Sequence, residues 1–249
     1  MSHIQDMPPT VSVVMAVRDG ERWLRETLAS LSQQTFAGYE AVIVDDGSTD
    51  GTPAILAEAA RDPRLRILTR PGEGLVKALN QGLAAAQAPL VARLDADDLA
   101  EPERFARQVA FLEAHPEVAA LGSALRIIDQ EGRILRTQKY PCGPRKVAEA
   151  MLSGCALAHP AVMMRREAVI AAGGYREAFR HAEDYDLWLR LGESHALDNL
   201  PEPLLRYRVH GGSVSFRHRR QQVLATFVAR LCARARRAGR PEPLRDDRA

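Results

Sequence analysis

Over its first hundred residues the chain switches repeatedly between two hydrophobic periods, and this restricts the fold more than any other feature. Val11 to Val17 is a short apolar run broken by Arg18-Asp19-Gly20, which reads as a buried strand entering a turn. Trp23, Leu24, Leu28 and Leu31 follow at helical spacing. A second apolar run, Glu40 to Val44, ends in Asp45-Asp46-Gly47-Ser48. Thr52-Pro53 then opens a helix, with proline in the first turn where it is tolerated. Leu65 to Thr69, Leu75 to Ala86 and Leu90 to Leu94 predict a strand, a helix and a strand. Such alternation needs right-handed crossovers and gives a parallel sheet covered on both faces. The expected class is α/β.

After Asp98 the rhythm changes. Pro102 to His115 predicts one amphipathic helix, with Phe105, Val109 and Leu112 on one face. Ile127-Ile128 and Ile134-Leu135 flank the turn Asp129 to Gly132 as a hairpin. Helix, strand and helix lead to Gly173-Gly174, a short helix covers Asp184 to Leu191, and a strand covers Leu204 to Val209. No linker rich in Gly, Ser or Pro divides the chain. We expect a flexible N-terminus over 1–10, one domain over 11–216, and a basic helix and tail over 217–249. The domain would have a first half laid out for a nucleotide (11–98) and an irregular second half (99–216) that binds something else.

Composition narrows the class further. Hydrophobic residues make 46% and charged residues 27% of the chain, the balance of a soluble globular protein. No apolar run approaches the ~18–20 residues of a membrane span. The first ten residues lack the basic-then-apolar pattern of a signal peptide, so a cytoplasmic protein is expected. Cys142, Cys155 and Cys232 give neither a disulfide framework nor metal-ligand spacing, which suits a reducing cytosol.

The acidic residues fall where such a sheet binds its ligands, at the carboxyl ends of the strands. Asp19 follows the first strand, Asp45 and Asp46 the second, and Asp95, Asp97 and Asp98 the fourth. Three carboxylates within four residues repel one another unless a cation neutralises them. Asp95-Ala96-Asp97 therefore suggests a half-built Mg²⁺ or Mn²⁺ site that a diphosphate completes. Neither a Gly-x-x-x-x-Gly-Lys-Ser/Thr nor a Gly-x-Gly-x-x-Gly motif is present, so metal and cationic side chains would have to hold the phosphates. Glu183-Asp184, at a predicted helix start, is a second carboxylate pair suited either to general base work or to capping. Asp186 is expected to be structural and Trp188 to lie in the core.

Several of these segments, taken in order, resemble the family 2 glycosyltransferases. They are Val11 to Phe36, Val42 to Asp50, Arg93 to Asp98, Pro102 to Phe105, His159-Pro160, Gly173 to Tyr175, Glu183 to Arg190, and Tyr207 to His210. The likeness spans roughly residues 10–216 and is nearest to bacterial enzymes that build lipopolysaccharide and capsule oligosaccharides. It implies a GT-A fold, with a Rossmann-like, mostly parallel sheet. It implies a nucleoside-diphospho-sugar donor (UDP), a divalent metal, inversion at the anomeric carbon, and a glycan or lipid-linked acceptor. By the same resemblance Asp46 would meet the base edge with Asp45 in support, and Ala16, Arg18 and Lys77 would lie near the nucleotide. Asp97 would ligate the metal together with His210, and Asp95 would face ribose and metal-bound water. Asp184 would be the base, with Glu183 and His159 on the acceptor side. Arg18 stands where the family usually has a tyrosine, and a guanidinium can also stack on a base. Two rivals remain at this point: a sugar nucleotidyltransferase, and a non-catalytic sugar-nucleotide-binding protein on the same fold.

The last segment has its own character. Ten arginines stand against three acidic residues over 217–249, whereas the whole chain is +2, so the body is net acidic and the tail basic. Arg217, Arg219, Arg220, Arg230, Arg234, Arg236, Arg237 and Arg240 accompany an apolar stripe of Val223, Leu224, Phe227, Val228 and Leu231. The stripe suits either an anionic membrane surface at the inner face of the cell membrane, or packing on the domain or a second subunit. No recognition motif for nucleic acid accompanies the arginines.

Overall fold

The computed structural model describes residues 8–211 and 219–244. Residues 1–7 of the expected N-terminal segment, Arg217 and His218 of the basic segment, and residues 245–249 lie outside the described residues.

The alternating first half forms β1 (Val11–Val17), α1 (Leu24–Ser32), β2 (Tyr39–Asp45), α2 (Thr52–Ala59), β3 (Leu65–Thr69), α3 (Leu75–Ala85) and β4 (Leu90–Arg93). These strands lie in the order β3-β2-β1-β4, all parallel. In-register pairing from Val11↔Tyr39 to Val17↔Asp45 brings the ends of β1 and β2 level. The loops that begin at Arg18, Asp46, Arg70 and Leu94 therefore share one edge. The strand order reverses between β1 and β4, and a crevice opens at that point in open α/β sheets.

The second half supplies β5 (Leu99–Ala100), α4 (Arg104–Ala114), β6 (Val118–Ile128), β7 (Ile134–Gln138), α5 (Pro144–Met151), β8 (Met163–Arg165), α6 (Arg166–Ala171), α7 (Glu183–Leu191) and β9 (Ala196–Arg208). β8 joins β4 antiparallel, β6 follows β8, and the sheet continues through β9 to β5. The predicted hairpin is β6–β7. β9 is much longer than the strand expected over Leu204 to Val209. Pro201 and Pro203 hide its first half from pattern reading, and the structure absorbs them in register shifts against β6.

Side-chain alternation splits the core in two. Val13 and Met15 point to the face covered by α1, α2 and α4, where Leu24, Ile55, Phe105 and Leu112 are buried. Val14 points to the face covered by α3, α5, α6, α7 and the final helix α8 (Arg219–Arg237). Gly82 in α3 shows how closely the layers approach, because a Cβ there would lie 2.6 Å from Val14 Cγ1. Valine is stiff at χ1 and cannot yield. Gly82→Ala is expected to cost about 1–3 kcal/mol, a Tm loss of roughly 3–10 °C in a thermal melt. A melt unchanged by the substitution would show that the layers separate freely.

The basic segment forms α8, and of the predicted stripe Val228 packs, partly buried, against the domain core. Ala229, Cys232 and Ala233 are buried against α7, while Val223, Leu224 and Phe227 are exposed.

Candidate active site

The loops after β1, β2 and β3 are laced by short polar side chains. Asp19, in the left-handed region at φ 52°, accepts from the Thr49 N–H at 2.8 Å, and its own N–H donates to Ser48 Oγ. Asp45 accepts from the Ser48 N–H at 3.0 Å and so fixes its own turn. Asp46, almost fully buried, accepts from the Glu73 N–H at 2.9 Å and the Gly74 N–H at 2.8 Å, one on each oxygen. A carboxylate oxygen has two acceptor sites, so each retains one for a ligand. Gly47 and Gly72 let two of these loops touch, since a Cβ on Gly47 would lie 2.9 Å from Gly72 N and both have positive φ. The Arg18 guanidinium lies over Gly72. Ala16 is partly buried near the end of β1, and Lys77 on α3 pairs with Glu73 at 3.0 Å.

Beyond β4 the acidic loop is met by the end of β9. Antiparallel pairing of Leu99 with Arg206 carries Arg208 to Asp97 and Asp98. The Arg208 N–H donates to Asp98 Oδ1, and its guanidinium donates to the Asp97 carbonyl at 2.9 Å, the Gln130 carbonyl at 2.9 Å and Glu26 at 2.7 Å. Two residues on, His210 Nε2 lies 2.8 Å from Asp97 Oδ2, with the imidazole against the Trp23 ring at 4.4 Å. Burial and then the neighbouring Asp95 charge raise the Asp97 pKa, and burial raises that of Asp98 well above the usual carboxylate range.

Asp95, expected to face ribose and metal-bound water, is held away from that pair. Its carboxylate is held by Arg93, which is fully buried and also donates to the carbonyls of Val14 (2.9 Å) and Leu94 (2.8 Å) and to His159 Nε2 (3.2 Å). Among the described residues no group of three or more His, Cys, Asp or Glu side chains converges to hold a metal. The Asp97–His210 pair still fits one. Two cis ligands of an octahedral ion with bonds of about 2.0–2.1 Å stand about 3 Å apart, close to the separation found here. A cation would also offset the repulsion that raises Asp97.

His159 proves to be a bridge. Its Nε2 meets both Arg93 and the Tyr175 hydroxyl (2.9 Å), and burial, then Arg93, lowers its pKa well below the usual value. Its Nε2 lone pair is taken up by these two partners rather than open to an acceptor. Across Tyr175 lies the start of α7, where burial pushes Glu183 up to about 7 and Asp184 up to about 6. Glu183 Oε2 is buried with no hydrogen-bond partner among the described residues. Asp184 Oδ1 accepts from the Tyr185 N–H at 2.7 Å, and Oδ2 lies 4.0 Å from Cys155 Sγ. Asp186 is fully buried between Arg176 and Arg190 and is structural, and Trp188 is core. Sequence reasoning gave no role to Arg93, Tyr175 or Arg208.

The chain is similar to proteins of known family and fold. The profile of Glycosyl transferase family 2 matches residues 12–173. The amylovoran biosynthesis glycosyltransferase AmsE of Erwinia amylovora is 34% identical, over 78% of this chain and 73% of that protein. The O-antigen biosynthesis glycosyltransferase WbnJ of Escherichia coli is 30% identical, over 82% and 81%. Among solved structures, S. aureus TarS in complex with UDP superposes with TM-score 0.72 at 19% identity, over 96% of this chain and 68% of that one. The mannosyltransferase PcManGT of Pyrobaculum calidifontis, with GDP-Man and Mn²⁺, gives 0.65 at 21%, over 96% and 67%. The fold is GT-A, and the chain belongs to glycosyl transferase family 2.

Proposed function

We propose that this glycosyltransferase moves a sugar from a UDP-type donor, with inversion and with a divalent metal, to a hydroxyl of a glycan or lipid-linked acceptor in cell-envelope polysaccharide synthesis. The observation that carries the reading is a pair of carboxylate centres linked by one buried arginine. Arg93 holds Asp95, two residues before Asp97, and its charge also acts on Glu183 and Asp184. The open acceptor sites on Asp46 suit the polar edge of a base, with Arg18 stacking beside it. Asp97 and His210 would hold Mn²⁺ or Mg²⁺, which supplies positive charge at the departing diphosphate. Asp95, held by Arg93, faces the ribose.

In the transfer, the acceptor oxygen forms a bond to the anomeric carbon from behind as the bond to the diphosphate oxygen breaks. Asp184 takes the acceptor's proton, and the diphosphate leaves with the electron pair. Glu183, with its unpartnered oxygen, orients the acceptor. A nucleotidyltransferase would release pyrophosphate rather than UDP.

Asp97→Ala is the direct test. Mn²⁺-dependent binding of UDP-sugar is expected to disappear from calorimetry and from thermal-shift assays, because a ligand that binds only the folded chain stabilises it by mass action. UDP-sugar affinity unchanged by the substitution, and indifferent to EDTA in the wild type, would overturn the metal reading.

A further inference from the structure

We infer that α8 is a membrane-docking helix whose outer face lies on an anionic lipid surface and holds the acceptor side of the enzyme against it. The membrane contact goes beyond the donor reading and stands whether or not Asp97 and Asp184 have the roles given above, while the use argued for it rests on Asp184 as the base.

Two faces of one helix carry it. The inner face is made of small side chains: Ala229, Cys232 and Ala233 are buried, and Ala225 packs beside them. Arg236 pins this face through Glu193 (2.8 Å) and Glu242 (3.0 Å), and Arg230 donates to the Ser153 carbonyl at 3.1 Å. The domain therefore uses up one side of α8 with small side chains and the partly buried Val228, and without Val223, Leu224 and Phe227.

Those residues stay outside. Val223 and Leu224 are each 65% exposed and Phe227 50%. At 100° per residue, Arg220, Val223, Leu224, Phe227, Leu231 and Arg234 fall within an arc of about 100°, opposite the docked face. Arg220, Arg234 and Arg237 are exposed, and no acidic residue occurs between Arg217 and Pro241. An apolar strip set among arginines matches acyl chains beneath anionic headgroups. A second copy of the chain is a poor match, because two-fold pairing of this face would set arginine against arginine.

The placement also has a use. α8 packs along α7, which begins with Glu183 and Asp184, and Arg230 holds the segment that leads through Gly154 to Cys155 beside Asp184. Leu152, next to Ser153, is exposed as well. With α8 in the headgroups, α7 stands one helix diameter behind it, about 10 Å. A hydroxyl carried on a lipid would then reach Asp184 without leaving the surface.

Co-sedimentation of the full chain with phosphatidylcholine vesicles, with and without phosphatidylglycerol, tests the inference. Binding is expected only with phosphatidylglycerol, and is expected to be lost as NaCl rises from about 0.1 M to about 0.5 M. A variant combining Arg220→Gln, Arg234→Gln and Arg237→Gln is expected to partition roughly 10²-fold less. A variant combining Val223→Ser, Leu224→Ser and Phe227→Ser is expected to partition at least about tenfold less. All six positions are exposed, so both variants should keep the wild-type Tm. Equal binding to neutral vesicles, or no loss in either variant, would overturn the inference. So would a vesicle-free dimer that the apolar variant dissolves, which would assign the face to a second copy; the vesicle and salt comparisons need no variant.

Discussion

With Asp184→Asn, sugar transfer is expected to fall by at least ~10²-fold while UDP-sugar affinity stays within about twofold of wild type. The amide keeps the shape and, through its carbonyl, the bond from the Tyr185 N–H. It cannot take a proton. As the proposed base, Asp184 must be ionised to act, and burial holds its pKa up to about 6, so transfer should rise with pH through about 6. Stability should move the other way. Glu183 and Asp184 both bind protons more tightly in the folded chain than in the unfolded one. Between roughly pH 4 and 7 these two groups therefore lower stability as pH rises. Asp184→Asn removes part of that cost, and its Tm at pH 8 should equal or exceed the wild-type value. Transfer within a few-fold of wild type, measured alongside an inactive Asp97→Ala, would place the base elsewhere, with Glu183 next in line.

Arg93→Met should produce the largest loss of stability, ~3–5 kcal/mol, or a Tm lower by roughly 10 °C. Methionine fills a similar volume, so the effect isolates the guanidinium. Without it the Val14 and Leu94 carbonyls lose their buried donor, and Asp95 loses its ion-pair partner. Arg93→Lys should recover only part of the loss, because an ammonium cannot span a carboxylate, an imidazole and two carbonyls at once. A fall in Tm of less than about 2 °C would show that Arg93 is dispensable to the fold.

Legibility from sequence followed hydrophobic period. β1 to β4 and α1 to α3 repeat apolar residues at one clear spacing, and the parallel half could be drawn from it. The strand-end aspartates were visible for the same reason. What could not be read were partnerships made across the sheet. Arg93 and Arg208 have the composition of surface residues, yet each is enclosed by carbonyls and carboxylates contributed from remote segments. Local pattern could not show that Arg93 would claim Asp95, or that Tyr175 would engage His159. In α8 the large apolar residues suggested a stripe, but apart from Val228 the domain selected the alanines, which pattern methods weigh lightly.

The meeting of Asp97 with His210 sets a timetable for biosynthesis. The strands that flank the β1–β4 crevice lie within the first hundred residues. Its last wall arrives more than a hundred residues later, because β9 must align beside β6 and capture β5 before Arg208 can grip the Asp97 loop. Long-range pairing of this kind is slow, and domains emerge from the ribosome N-terminus first. The Asp97–His210 contact can therefore form only after β9 has been made and paired beside β6, more than a hundred residues beyond Asp97 itself.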